Sequence, residues 1–292
     1  MSEFIKKILW ATDFSDESQD AYQYALQFAN TFKSEIIGLH VIPDFSPALY
    51  DTASVVKDEL TKRIHSVKKE AEKKFDDLKK NKDLSLKVII KEGTASKKII
   101  ECAVEEEADL IVMGKKGISA IEKLFIGSVA NQIIRHSPIP ILLTKKGDRK
   151  LGFKRILVPT DFSAQEEIER EYAWKLALGF DSQLTLLYVL ELHDYEFPPR
   201  VLDEMFEKVL KRIKQRRKKE KEDIPVNEDV VRAINAAIGI IDYAESQKID
   251  MIVMSTCVTS KLERFFLGST TEKVISYSQI PIFAIPPSQC GQ

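Results

Sequence analysis

The chain repeats itself, and this limits its possible folds more than any other feature. Ile8-Leu9-Trp10-Ala11-Thr12-Asp13-Phe14-Ser15 returns 148 residues later as Ile156-Leu157-Val158-Pro159-Thr160-Asp161-Phe162-Ser163. A second pair of landmarks lies at an offset of 141. Glu122-Lys123-Leu124-Phe125-Ile126-Gly127-Ser128 matches Glu263-Arg264-Phe265-Phe266-Leu267-Gly268-Ser269, and Ile139-Pro140-Ile141 matches Ile280-Pro281-Ile282. A duplicated unit fixes domain limits more firmly than drift in composition does. Lys145-Lys146-Gly147-Asp148-Arg149-Lys150 between the copies reads as a polar linker. One domain is therefore expected over residues 1–147 and a second over 152–292, each of ordinary size in a chain of 292 residues.

Within the first copy, apolar runs suited to buried strands lie at 8–11, 36–42, 86–90, 110–113 and 139–144. Helical spacing fills the gaps. Tyr22, Ala25, Leu26, Ala29 and Phe32 form one stripe over 15–32, with Asp16 as the expected N-cap and Gln19 three positions on. In the second copy, Ser163 and Glu166 make a cleaner capping box. Further helices are expected at 52–81, 96–107 and 128–136, the last stopped by Ser137-Pro138. Strands alternating with helices imply parallel βαβ units, so each half reads as a five-stranded doubly wound α/β domain. Pro140 and Pro281 fit a strand at a sheet edge, where the missing N–H is not needed.

Composition excludes several classes. Lys plus Arg number 44 against 45 Asp plus Glu, which argues against a coat for nucleic acid or anionic membrane. No apolar run approaches the roughly 20 residues of a membrane helix. No apolar leader precedes Asp13, and a cytoplasmic location is expected. Cys102, Cys257 and Cys290 suit neither a disulfide framework nor a zinc finger, and His40, His65, His136 and His193 are scattered.

Chemistry concentrates after the fourth strand. Residues 110–113 run into Gly114-Lys115-Lys116-Gly117, and nine residues later Gly127-Ser128 opens a helix. Small residues let the main chain approach an anion and adopt positive φ, and amides at a helix start favour phosphate. Open α/β sheets take ligands at the carboxyl ends of strands where the winding reverses, and Asp13 follows the end of the first strand. Asp13 and Gly114 are thus placed to flank one crevice. A Gly-x-x-Gly turn by itself is commonly only a turn. The chain has no P-loop, no Gly-x-Gly-x-x-Gly after a strand and no Gly-x-Ser-x-Gly elbow.

The Thr12-Asp13-Phe14-Ser15 element, Leu39-His40-Val41-Ile42 on the second strand and the pattern G-x2-G-x9-G-S resemble the universal stress protein family, and the duplication resembles its tandem form. The resemblance spans almost the whole chain. It implies a strand order of 3-2-1-4-5 in each half, pairing of the halves through their last strands, and binding of an adenine nucleotide, ATP or AMP, with Mg2+ at the phosphates. It further implies that the main chain at Val41 contacts adenine, with Asp13, assisted by Thr12, near the adenosine. Ribose and phosphates would lie against Gly114, Gly117, Gly127, Ser128 and Val129, with Met113 at the entrance. Lys115 and Lys116 either add charge or are simply solvated.

The second copy departs where phosphate binding is most demanding. Ser255 replaces Gly114, Val258 replaces Gly117 and Ile234 replaces Gly93, while Gly268, Ser269 and Thr270 are retained. A branched side chain at Val258 obstructs close approach and resists the left-handed conformation. Intact nucleotide binding is therefore expected in the first half and a degenerate motif in the second. Between Glu204 and Asp223 nine basic residues outnumber five acidic ones, but Met205, Phe206, Val209, Leu210 and Ile213 make this an amphipathic helix with a solvated charged face.

The expected function is a stress-response regulator that senses an adenine nucleotide in its N-terminal half. It is not primarily an enzyme, since no base or arginine finger can be recognised, and slow ATP hydrolysis is the most that is expected. The alternative is a nucleotide-independent dimeric scaffold. Self-association and an unidentified protein partner are left open; neither nucleic acid nor membrane is expected.

Overall fold

The computed structural model describes residues 4–44, 54–80, 86–117, 126–145, 147, 152–163, 166–192, 198–217, 224–256 and 267–286. In the first half the elements run β1 (Lys7–Thr12), α1 (Asp16–Phe32), β2 (Glu35–Ile42), α2 (Ser54–Lys80), β3 (Leu86–Glu92), α3 (Ala95–Glu105), β4 (Leu110–Gly114), α4 (Ser128–His136) and β5 (Ile141–Thr144). The second half repeats the series as β6 (Arg155–Pro159), α5 (Glu166–Phe180), β7 (Gln183–Glu191), α6 (Pro199–Arg217), β8 (Val226–Ala233), α7 (Ala236–Ser246), β9 (Met251–Ser255), α8 (Ser269–Tyr277) and β10 (Ile282–Ile285).

The strands form one ten-stranded sheet in the order β3-β2-β1-β4-β5-β10-β9-β6-β7-β8. Pairing is parallel within each half and antiparallel where β5 meets β10, with Phe283 opposite Leu142. Because successive side chains point to opposite faces, each strand feeds two cores. Ile8 and Trp10 join the core under α1, α2, α5 and α6, while Leu9 and Ala11 join the one under α3, α4, α7 and α8. Both cores run across the junction of the halves. On the first face the crossing is aromatic, with Phe28 lying 4.9 Å from Phe180 and 5.5 Å from Phe153, ring centre to ring centre.

Several local expectations need correction. Ser15, not Asp16, caps α1: its carbonyl accepts from Gln19 N at 2.9 Å and its Oγ from Ser18 N at 3.3 Å. Gln19 turns its side-chain amide to the Phe14 carbonyl instead of closing a box. The box expected of Ser163 and Glu166 spans residues 164 and 165, outside the described residues, and the Glu166 carboxylate is paired with Arg170 at 3.1 Å. Pro140 and Pro281 do not lie on a sheet edge. Each sits just before its strand, its carbonyl accepting from Ile111 N or Ile252 N, while β5 and β10 form the centre of the continuous sheet. Four of the six residues of the expected linker, 146 and 148–150, lie outside the described residues.

The basic helix α6 packs Phe206, Val209 and Leu210 against the first core and buries Ile213 in it. Among the described residues no helix is long and apolar enough to cross a membrane.

Candidate functional site

The site is built from the turn after β1. Phe14 takes φ 63°, and Phe162 takes φ 62° at the matching place in the second half. A bulky residue in the left-handed region is strained, and the two side chains before it hold the turn. Thr12 Oγ1 accepts from Phe14 N at 2.9 Å, and Asp13 Oδ1 accepts from Ser15 N at 3.0 Å. His40 Nδ1–H donates to the Thr12 carbonyl at 2.8 Å, and burial pushes its pKa down, so the ring that packs on Phe14 is neutral at pH 7. Asp13 is thereby fixed at the C-terminal end of the sheet.

Opposite it lies the loop after β4. The expectation that its glycines serve by positive φ is wrong, since neither Gly114, Gly117 nor Gly127 has it. What they supply is space. A Cβ at Gly117 would collide with Asp13 Oδ2, and one at Gly114 would come within 3.1 Å of Glu17 Cβ and 3.2 Å of the Lys116 carbonyl. Positive φ occurs instead at Gly93, after β3, with φ 138°.

Thr12, Asp13, Val41, Met113, Gly114, Gly117, Gly127, Ser128 and Val129, all the residues expected at the site, line one cavity of about 610 Å³. Leu39, Val41, Ile99 and Met113 give it an apolar slot. Met113 is 7% exposed and packed in the second core, so it forms wall and not entrance. At the other end α4 begins at Gly127 with no side chain capping it. The Gly127 amide is already used, donating to the Lys115 carbonyl at 2.8 Å, and the first intrahelical bond runs from Asn131 N to the Gly127 carbonyl. The donors that α4 offers are therefore the amides of Ser128, Val129 and Ala130, concentrated at the positive end of the helix dipole.

The solvated alternative for Lys115 is also corrected. Lys115 is 3% exposed, and its Nζ donates across the junction to the carbonyl of Ser278, the C-cap of α8, at 2.7 Å. Burial, with the Lys145 charge nearby, pulls its pKa down to about 7. Lys116 N donates to the Glu17 carboxylate at 2.9 Å, and burial raises the Glu17 pKa. Sequence reading missed Glu17 because nothing in local spacing links it to a loop 99 residues away.

The second half holds a matching cavity of about 660 Å³, lined by Thr160, Asp161, Val189, Met254, Ser269 and Thr270 among others. Here Glu169, 9% exposed, accepts from Ser255 N at 2.7 Å, and burial pushes its pKa up to about 7. Glu169 could have been found, since it falls on the helical stripe with Ala173, Leu176 and Ala177, where an acid is out of place. Val258 lies outside the described residues, so its expected obstruction has no structural description. Cys102 is buried with its thiol pKa raised to about 11, while Cys257, Cys290 and His193 lie outside the described residues. Among the described residues no cluster of three or more His, Cys, Asp or Glu is placed to hold a metal ion.

Comparison with known proteins agrees with this architecture. Universal stress protein MJ0531 of Methanocaldococcus jannaschii is 32% identical over 141 residues, covering 48% of this chain and 82% of that one. MJ0577 of the same organism, also a universal stress protein, is 31% identical and covers 50% of this chain and 98% of its own. Among solved structures, a universal stress protein from Archaeoglobus fulgidus shares the fold over 96% of both chains, with a TM-score of 0.65 at 24% identity. A functionally unknown protein from Pseudomonas aeruginosa, PA1789, does so over 98% of this chain and 94% of that one, with a TM-score of 0.67 at 15% identity. The model of the universal stress protein family matches residues 5–145 and again 152–286. With both halves matched, the chain belongs to the universal stress protein family, as a tandem of two such units in one polypeptide.

Proposed function

We propose that the N-terminal half binds an adenine nucleotide and that its occupancy is a regulatory signal. The observation carrying this reading is the convergence of an apolar slot, an aspartate and an uncapped helix N-terminus on one cavity of about 610 Å³. The slot suits the adenine ring and Asp13 suits a ribose hydroxyl. The first amides of α4 suit phosphate oxygens, because they are unpaired donors at the end of a dipole. Bare glycines leave the main chain accessible there. Mg2+, when bound, would neutralise phosphate charge, with Asp13 as the carboxylate lining this cavity. The reading is one of binding more than catalysis. The Lys115 amine is committed to the Ser278 carbonyl, and in this reading Asp13 is engaged by the ribose hydroxyl and the metal, so neither is assigned as a base for attacking water.

Calorimetry with ATP, AMP and GTP on the full chain and on Gly114→Asp tests the assignment. ATP or AMP is expected to bind the parent protein in preference to GTP, with at least a tenfold loss in the variant. Equal binding by both proteins rejects the site. Absence of any adenylate binding favours the nucleotide-independent scaffold, and turnover of ATP within minutes would make the protein an enzyme.

A further inference from the structure

The second cavity keeps one end of the first and inverts the other. Thr12, Asp13, Leu39, Val41 and Met113 have counterparts in Thr160, Asp161, Leu187, Val189 and Met254, all of which line it. The slot and its aspartate are thus preserved in kind. At the phosphate end Ser255 stands for Gly114, and Glu169 comes in where α1 has the fully buried Ala21. Its carboxylate takes the Ser255 amide. Among the described lining residues, the first cavity has the charged side chains Asp13 and Lys116, together with Lys115, whose amine is bonded to the Ser278 carbonyl, whereas the second has Asp161, Glu169 and Glu191. The partial positive charge at the start of α8 does not offset three carboxylates.

We propose that the C-terminal cavity is a nucleoside site, which accepts the uncharged base and sugar and rejects the phosphorylated forms. Hydroxyl groups of a sugar donate hydrogen bonds and satisfy a carboxylate, while a phosphate has only negative oxygens to offer to Glu169. Burial raises the Glu169 pKa to about 7, so its carboxyl is ionised and repels phosphate above that pH, and the titrations are run at pH 8. The proposal rests on the nucleotide reading of the first cavity for the identity of the base.

Calorimetry with adenosine, AMP and ATP on Gly114→Asp, and on Gly114→Asp combined with Glu169→Ala, separates the two readings. Gly114→Asp is expected to bind adenosine with AMP at least tenfold weaker, and the response to Glu169→Ala identifies the second cavity as the one responsible. Adding Glu169→Ala, which installs the residue of the first half, shifts the AMP-to-adenosine preference at least tenfold toward AMP. No adenosine uptake by Gly114→Asp, equal affinity for AMP and adenosine, or a preference for spermidine over adenosine overturns the proposal. The first cavity is judged separately, by ATP binding to the parent protein. Should Gly114→Asp not fold, photolabelling the parent with azidoadenosine decides. Label surviving excess ATP on peptides from 160–192 and 236–256 supports the nucleoside site, and its absence there refutes it.

Discussion

Gly117 and Asp13 show how little room the site leaves for change at a single residue. A methyl group at 117 would collide with Asp13 Oδ2, so Gly117→Ala must displace either the loop or the aspartate. A tenfold or greater loss of ATP affinity is expected with a melting temperature lowered by only a few degrees, as titration calorimetry and thermal melts would show. Glu169 is governed by electrostatics instead. Its folded pKa, about 7, lies above the ordinary carboxylate value of 4.5, so the native state holds the proton more tightly than the unfolded chain. Its contribution to stability is full below about pH 4.5 and is lost as pH rises to about 7. Glu169→Gln keeps an acceptor for Ser255 N and removes that loss. The variant is expected to match the parent near pH 4.5 and to exceed it at pH 8 by about 1–3 kcal/mol in urea unfolding.

At the scale of elements, the helix starts divide into structural and open ones. Ser15 caps α1 and Asn235 caps α7 with their side chains, Asn235 accepting from Ile238 N at 3.0 Å. In contrast, α4 and α8 begin on glycines with no side-chain cap, and both starts face a cavity. The open starts of α4 and α8 leave amides for a ligand, although capping does not follow the cavities strictly, since α3 also lacks a side-chain cap at Thr94 and the capped start of α7 lines the second cavity through Ala236. Ser15→Ala is expected to lower stability by about 0.5–1 kcal/mol, at the modest end because the Oγ contact to Ser18 N is long at 3.3 Å. Its effect on ATP affinity should stay within threefold, since Ser15 does not line the cavity.

For the whole molecule, continuity matters most. One sheet and two cores pass through the β5–β10 junction, so we expect both halves to unfold in a single calorimetric transition. Phe283 is 1% exposed and touches Phe28 and Tyr172 of opposite halves. Phe283→Ala is expected to lower overall stability by about 3–5 kcal/mol, shifting the urea midpoint seen by probes in either half. Lys115 crosses the same junction. Its folded pKa, about 7, is below the usual 10.5, so its contribution is full above about pH 10.5 and is lost as pH falls to about 7. Glu169 acts in the window below this and Lys115 in the window above, and their combined contribution is smallest near pH 7. Urea unfolding at pH 5, 7 and 9 should show that minimum, and Lys115→Met should flatten its alkaline side. The strands, the helices, the duplication and the glycines of the first cavity were readable along the chain, because apolar periodicity and spaced glycines are local properties, while Thr12, Val41, Met113 and Val129, which also line it, came from the family resemblance. Three facts were decided only by packing: the Gly127 amide is taken by Lys115, the Lys115 amine is buried against Ser278 163 residues away, and Glu169 takes the Ser255 amide 86 residues away. Such pairings follow from which strands become neighbours in the sheet. Burial then sets the charge of each group, and no spacing rule within the chain encodes that.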